Sequence, residues 1–131
     1  MDLLMIAARI LLVPIFLASG MGHLTATEAM AGYAASKGIP SPTLAVRGSG
    51  VLILLGGLSV LLGIYPEYGA LALVLFSIPT AFLMHAFWRE TDPMAKMNER
   101  VHFLKDLALA GAGLFAYALV VAGEFGPTLV G

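Results

Sequence analysis

The chain has 131 residues, of which 60% are hydrophobic and 11% charged, with a formal net charge of −1 and a mean hydropathy of +0.94. A soluble domain of this size buries too small a fraction of its surface to hide so much apolar area, so an ordinary soluble fold is excluded. Seven Lys and Arg against eight Asp and Glu exclude a basic face for nucleic acid. The absence of cysteine excludes disulfides, thiol nucleophiles and thiolate metal ligands.

Four apolar stretches organise the chain, each near the twenty residues that a helix needs to cross a hydrocarbon core about 30 Å thick. The first, Leu3–Met21, is interrupted by Arg9 and Pro14. It has no basic leader and no small-x-small cleavage site, so it reads as a retained span. A polar connection from His23 to Thr43 follows, with a short interfacial helix expected over Thr25–Ser36 and ended by Lys37-Gly38. Ile39-Pro40-Ser41-Pro42 then forces an extended approach to the next span.

The second span, Leu44–Ile64, places Ser49, Gly56 and Gly63 seven residues apart. Small side chains on one stripe let another helix come close. The short Tyr65–Tyr68 turn makes the third span, Gly69–Trp88, its antiparallel neighbour, and its tyrosines suit a membrane interface. Inside the third span, Ser77, Ala81 and His85 share one helix face, with Pro79 between them. The charged connection Arg89–Phe103 leads to the fourth span, Leu104–Gly123, where Ala108, Ala112 and Ala116 repeat every four residues. The expectation is an all-α, four-helix transmembrane bundle, with residues 1–131 forming a single membrane domain.

Lys37, Arg47, Arg89, Lys96, Arg100 and Lys105 sit in or beside the first and third connections, and the termini and the Tyr65–Tyr68 turn have none. The positive-inside rule then puts both termini outside the cytoplasm. Arg9 alone pulls the other way, and from the first span it can reach out to Asp2, Glu67 or Glu124.

On this topology His23, His85 and His102 fall at the cytoplasmic ends of their helices, with Arg47, Trp88, Lys105 and Asp106 at the same level. Ionisable groups at membrane depth are costly and usually face a protein interior or a wet cavity. His85, Arg47, Lys105, Trp88 and His102 are therefore the candidate site. Histidine would donate to a carbonyl or relay a proton, and Trp88 would offer a flat carrier a surface to stack on. The plainer reading makes them headgroup-level residues whose cations reach water. A haem held by two histidines is the weaker reading, because no pair has i, i+3 or i, i+4 spacing. No His-x-x-x-His or Glu-x-x-His cluster points to a metal.

Several segments in order resemble the DoxX family of small membrane proteins. They are Arg9 with Ser19-Gly20 and Leu24; Gly38-Ile39-Pro40; and Gly56-Gly57-Leu58 through Leu62-Gly63. The resemblance continues through Thr80-Ala81-Phe82 with His85 and Phe87-Trp88, then Phe103-Leu104-Lys105 with Ala108-Leu109 and Gly111. It implies a four-helix membrane bundle associated with membrane redox systems, since some members resemble subunits of thiosulfate:quinone oxidoreductases. This chain has His23 where many members have Lys, and Val51-Leu52-Ile53 where many carry a Glu. The leading expectation is a redox-associated subunit of a bacterial inner membrane, with redox protein partners and room for a homo-oligomer. It would bind a quinone or similar lipid-soluble carrier near His85, Arg47 and Lys105. The alternative is a non-enzymatic scaffold that assembles a partner complex.

Overall fold

A computed structural model describes residues 1–131. Helices α1 (Asp2–Leu12) and α2 (Pro14–Thr25) form the first span. They meet at Val13, which keeps right-handed helical angles (φ −72°, ψ −31°), so the missing Pro14 amide marks the junction without turning the chain away. Helix α3 (Thr27–Ser36) lies across one end of the bundle. Then come α4 (Pro42–Leu62), α5 (Pro66–Met84) and α6 (Pro93–Val121). Four helices are long and apolar enough to cross a membrane, and there is no strand beyond one isolated bridge between Ile64 and Val130. The protein is an all-α membrane bundle.

Two element boundaries differ from the sequence reading in ways that matter for the site. α5 stops at Met84, and Ala86 (ψ 72°) leads into a single 3-10 turn over Phe87–Arg89. α6 begins at Pro93 and not near Leu104, with the Asp92 carboxylate accepting from the Ala95 amide at 2.8 Å. Asp followed by Pro is a strong start signal, because the side chain satisfies a free amide and Pro suits the first turn. At 29 residues α6 is about 43 Å long at 1.5 Å per residue, more than the hydrocarbon core requires. Its first turns therefore stand at the α3 end and bring Glu99 level with His85.

Packing runs in the order α2, α4, α5, α6, and glycines mark each crossing. A Cβ on Gly20 would meet Leu54 Cγ at 2.6 Å, and one on Gly50 would meet His23 Cβ at 2.7 Å. Gly56 faces α5, where an added Cβ would lie 3.2 Å from Ala72 Cβ and from the Gly69 carbonyl. Gly113 similarly presses α6 against Val74 and the Ala70 carbonyl. The seven-residue stripe of α4 therefore does not serve one partner. Ser49 meets α2, Gly56 meets α5, and Gly63 (φ 65°) caps the helix in the left-handed region.

Core side chains Val13, Phe16, Ile53, Val60, Ala70, Leu73 and Ala116 fill the bundle, joined by Phe125 from the C-terminal tail. Large side chains such as Leu11, Leu55 and Phe115 point outward, as expected where lipid is the solvent. The tail closes the end opposite α3, with Tyr65 N donating to Val130 O at 2.8 Å and Leu129 N to Gly63 O at 2.9 Å.

Arg9 is buried beneath this tail, 6% exposed. It does not reach Asp2, Glu67 or Glu124. Its guanidinium donates to the carbonyls of Pro127, at 2.7 Å, and Phe125, and lies 3.9 Å over the Phe125 ring. Carbonyl dipoles and a ring face take the place of a carboxylate, which suits the planar fork of arginine.

Candidate functional site

At the α3 end the helices line a half-open cavity of about 450 Å³, within the range of small-molecule sites at roughly 300–1,000 Å³. α2 supplies Phe16, Ser19 and His23, and α4 supplies Val46, Ser49 and Leu52. α5 contributes Phe76, Thr80 and Leu83, and α6 contributes His102, Lys105, Asp106 and Leu109. Most of the wall is apolar, with the polar groups gathered toward the α3 end.

His85 ends α5 rather than lying within it (φ −117°, ψ 42°), and its side chain is 14% exposed. Its Nδ1 donates to Glu99 Oε2 at 2.6 Å, because a carboxylate oxygen can only accept from the ring. Its Nε2 lies 3.6 Å from Asp106 Oδ2, an ion-pair distance rather than a hydrogen bond. The His85 and His102 rings stack with centroids 5.0 Å apart and planes inclined by 27°.

Asp106 is 3% exposed. Its Oδ1 is 3.4 Å from Lys105 Nζ, and its Oδ2 has no hydrogen-bond partner. Lys105 Nζ also donates to His102 Nδ1 at 3.3 Å.

Glu99 is the hub of the cluster. Besides accepting from His85, its other oxygen accepts from the Tyr33 hydroxyl of α3 and lies 3.7 Å from Lys37 Nζ. Lys37 in turn pairs with Glu90 at 3.0 Å. Partial burial, with the Glu99 carboxylate beside it, raises the Tyr33 phenol well above its ordinary range, so it remains a donor. These contacts dock α3 over the cavity, above a small core of Ala31, Ala34 and Val46.

On the facing wall, His23 is held by α4. Its Nδ1 lies 3.1 Å from Val46 O and 2.9 Å from Ser49 Oγ. Ser49 Oγ itself donates to Val46 O at 3.0 Å.

The sequence candidates therefore separate. His85, His102 and Lys105 line the cavity, but Arg47 and Trp88 do not. Arg47 is exposed on the outer side of α4, because Val46 and Gly50 occupy the buried face. Trp88 is 48% exposed and packs with Phe82, Phe87 and Phe103 outside the cavity. The break after Met84 moves it off the face that carries His85.

Glu99 and Tyr33 belong to the cluster although neither stood out in the sequence. A signal for Glu99 existed: Glu99, His102 and Asp106 fall at i, i+3 and i+7, one face of a helix. It was hidden as long as α6 was expected to begin at Leu104. Tyr33 carried no comparable signal.

The family model for DoxX matches residues 4–86, well over half of the chain. The chain belongs to the DoxX family. The matched region takes in His23, Tyr33 and His85, whereas Glu99, His102, Lys105 and Asp106 lie beyond it, so the DoxX match covers one side of the polar cluster. Inner membrane protein YphA of Escherichia coli (strain K12) is similar to this DoxX chain, 29% identical over 111 residues that cover 85% of the chain and 79% of that protein. No solved structure matches.

Proposed function

We propose that this DoxX protein is a redox-associated membrane subunit that holds a quinone or similar lipid-soluble carrier in the cavity beneath α3. One observation carries the reading: a cavity of about 450 Å³ has apolar walls and a polar end at a single bundle end. A ring with a hydrophobic tail asks for that division, flat apolar contact along its body and a few fixed polar groups at its head. Phe16, Leu52, Phe76 and Leu83 supply the first requirement, and His85, His102, Lys105 and Asp106 the second. Arg47 and Trp88 have no direct part in this reading.

The chain has no cysteine, so electrons would reach the carrier through a bound cofactor or a partner protein. Exposed Arg89, Lys96 and Arg100 surround the α3 end and would offer a protein partner a basic surface. Four apolar spans and the similarity to an inner membrane protein of Escherichia coli favour the bacterial inner membrane as its location. The distribution of Lys and Arg favours both termini outside the cytoplasm.

The test is organic extraction of protein purified from native membranes in a mild detergent, followed by mass spectrometry. The expected result is an isoprenoid quinone retained near one per chain, falling to the background of bulk lipid in His85→Ala. A protein that emerges with an empty cavity but a stoichiometric partner would overturn this reading in favour of a scaffold.

A further inference from the structure

The half-open cavity meets the lipid along the seam between α4 and α5. Toward the tail end this seam is closed by small residues, Gly56 against Gly69 and Ala72. Nearer α3, bulky side chains replace them. Leu52 of α4 and Leu75, Pro79 and Leu83 of α5 all line the cavity, and the three on α5 are also exposed, Leu75 by 65%. Spaced four residues apart, those three share one face of the helix. A side chain that lines a cavity and also faces lipid marks its mouth, and here a row of them follows the seam.

The mouth adjoins a second hollow. An open groove of about 560 Å³ on the outer side of the same two helices is lined by Tyr68, Leu71, Val74 and Ile78, and again by Leu52, Leu75 and Pro79. Cavity and groove therefore meet at a single layer of side chains, in which exposed Leu75 is free to change rotamer. No charged residue lines the groove. From Pro79 to Tyr68 it follows α5 for about 16 Å at 1.5 Å per residue. Leu75 is the midpoint of α5 (Pro66–Met84), so the groove lies at hydrocarbon depth and leads away from the polar end.

Resting on the carrier-site reading above, we infer that the ligand is a carrier with a long polyisoprenoid tail, which leaves the cavity through the α4–α5 seam at Leu75 and Pro79 and lies along the outer groove of α5. The cavity has the size of a ring site, and a chain of several isoprenyl units needs the further apolar length that the groove provides. With the head at His85, His102 and Lys105 and the tail toward the membrane middle, the ligand keeps the orientation it has in the leaflet. It enters sideways from lipid without crossing water.

Lipid chains are as apolar as the groove, so a tail gains little affinity there and the experiment reads position. The probe is a naphthoquinone whose isoprenoid tail ends in a diazirine, photolysed with the full chain in proteoliposomes and mapped by peptide sequencing. Menadione, the same ring without a tail, is the competitor: it can empty the cavity but cannot fill the groove. The expected result is tail adducts on the Tyr68–Ile78 segment that menadione suppresses, and their loss in Leu75→Trp, where an indole fills the seam. A diazirine fatty acid, which has no ring, is expected to give labelling that menadione leaves unchanged.

Tail adducts that menadione suppresses but that map elsewhere, such as beside Ile15 on the exposed side of α2, would overturn the seam while leaving the carrier site standing. So would suppressible groove labelling that persists in Leu75→Trp. Labelling that menadione does not reduce anywhere would overturn both. Should Leu75→Trp fail to fold, the adduct map of the unaltered protein still decides.

Discussion

At the scale of single residues, Glu99 holds the α3 end of the molecule together. Its two oxygens serve Tyr33 on one side and His85 on the other, with Lys37 at 3.7 Å. Three elements, α3, the break after α5, and α6, therefore meet on one carboxylate that is 8% exposed. Replacing it by Leu would take from the Tyr33 hydroxyl and the His85 imidazole the carboxylate they share, and from Lys37 the second of its two acids. Removing one partner of a buried ionic group costs about 3–5 kcal/mol, so Glu99→Leu is expected to lower stability by about 3 kcal/mol in an SDS unfolding titration. An unchanged midpoint would mean that the cluster is solvated and contributes little.

His85 was legible in the sequence, because a histidine on a face of small residues in an apolar span has few alternatives to an interior position. Its partners were not legible. Arg47 was the nearest cation by expected level, yet the turn of α4 points it outward, and the real partners are carboxylates of α6. Arg9 departs in a similar way, meeting carbonyls of Phe125 and Pro127 where an acid was expected. Backbone acceptors carry no mark in a sequence, so a cation satisfied by them looks unpaired until the tail is placed.

At the scale of elements, the helices pack by glycine contacts that are specific to each crossing. Within α4, Gly56 lies 3.2 Å from atoms of α5 once a Cβ is added, whereas nothing stands within 4 Å of a Cβ on Gly48. Gly56→Leu must therefore part the two backbones, and overpacking of this kind costs about 1–3 kcal/mol or more. Gly48→Leu, in the same helix, faces open space. The expected outcome is a clear loss of thermal stability and monodispersity for Gly56→Leu and a near-native profile for Gly48→Leu. Equal behaviour of the two would show that the α4–α5 contact is not tight.

The spans themselves were readable from hydropathy, and the Asp92-Pro93 start of α6 was readable in principle. It was masked because Met94–Val101 is too polar to register as part of an apolar stretch. Hydropathy finds the part of a helix that lies in lipid, and α6 continues well beyond it. That polar overhang brings Glu99 to His85, so the error in element length and the missed site residue have one cause.

At the scale of the whole molecule, the two ends are built differently. One end is sealed by the tail through Arg9, Phe125 and the Gly63–Val130 contacts. The other holds the cavity, α3 and nearly all of the basic side chains. With the positive-inside rule, a periplasmic phosphatase fused after Gly131 is expected to be active and a fluorescent reporter that folds only in the cytoplasm to stay dark. The reverse pattern would turn the molecule over and place the cavity at the outer face.

The central claim is that a lipid-soluble ring occupies the cavity between α2 and α6 beneath α3. Photolabelling with an azido-quinone in proteoliposomes, followed by peptide mapping, tests it most directly. The account predicts adducts on segments carrying His23 and Phe76 and on the His102–Leu109 stretch, all suppressed by excess unlabelled quinone. Labelling confined to outward-facing residues such as Leu55 and Phe115, or unaffected by competitor, would contradict it.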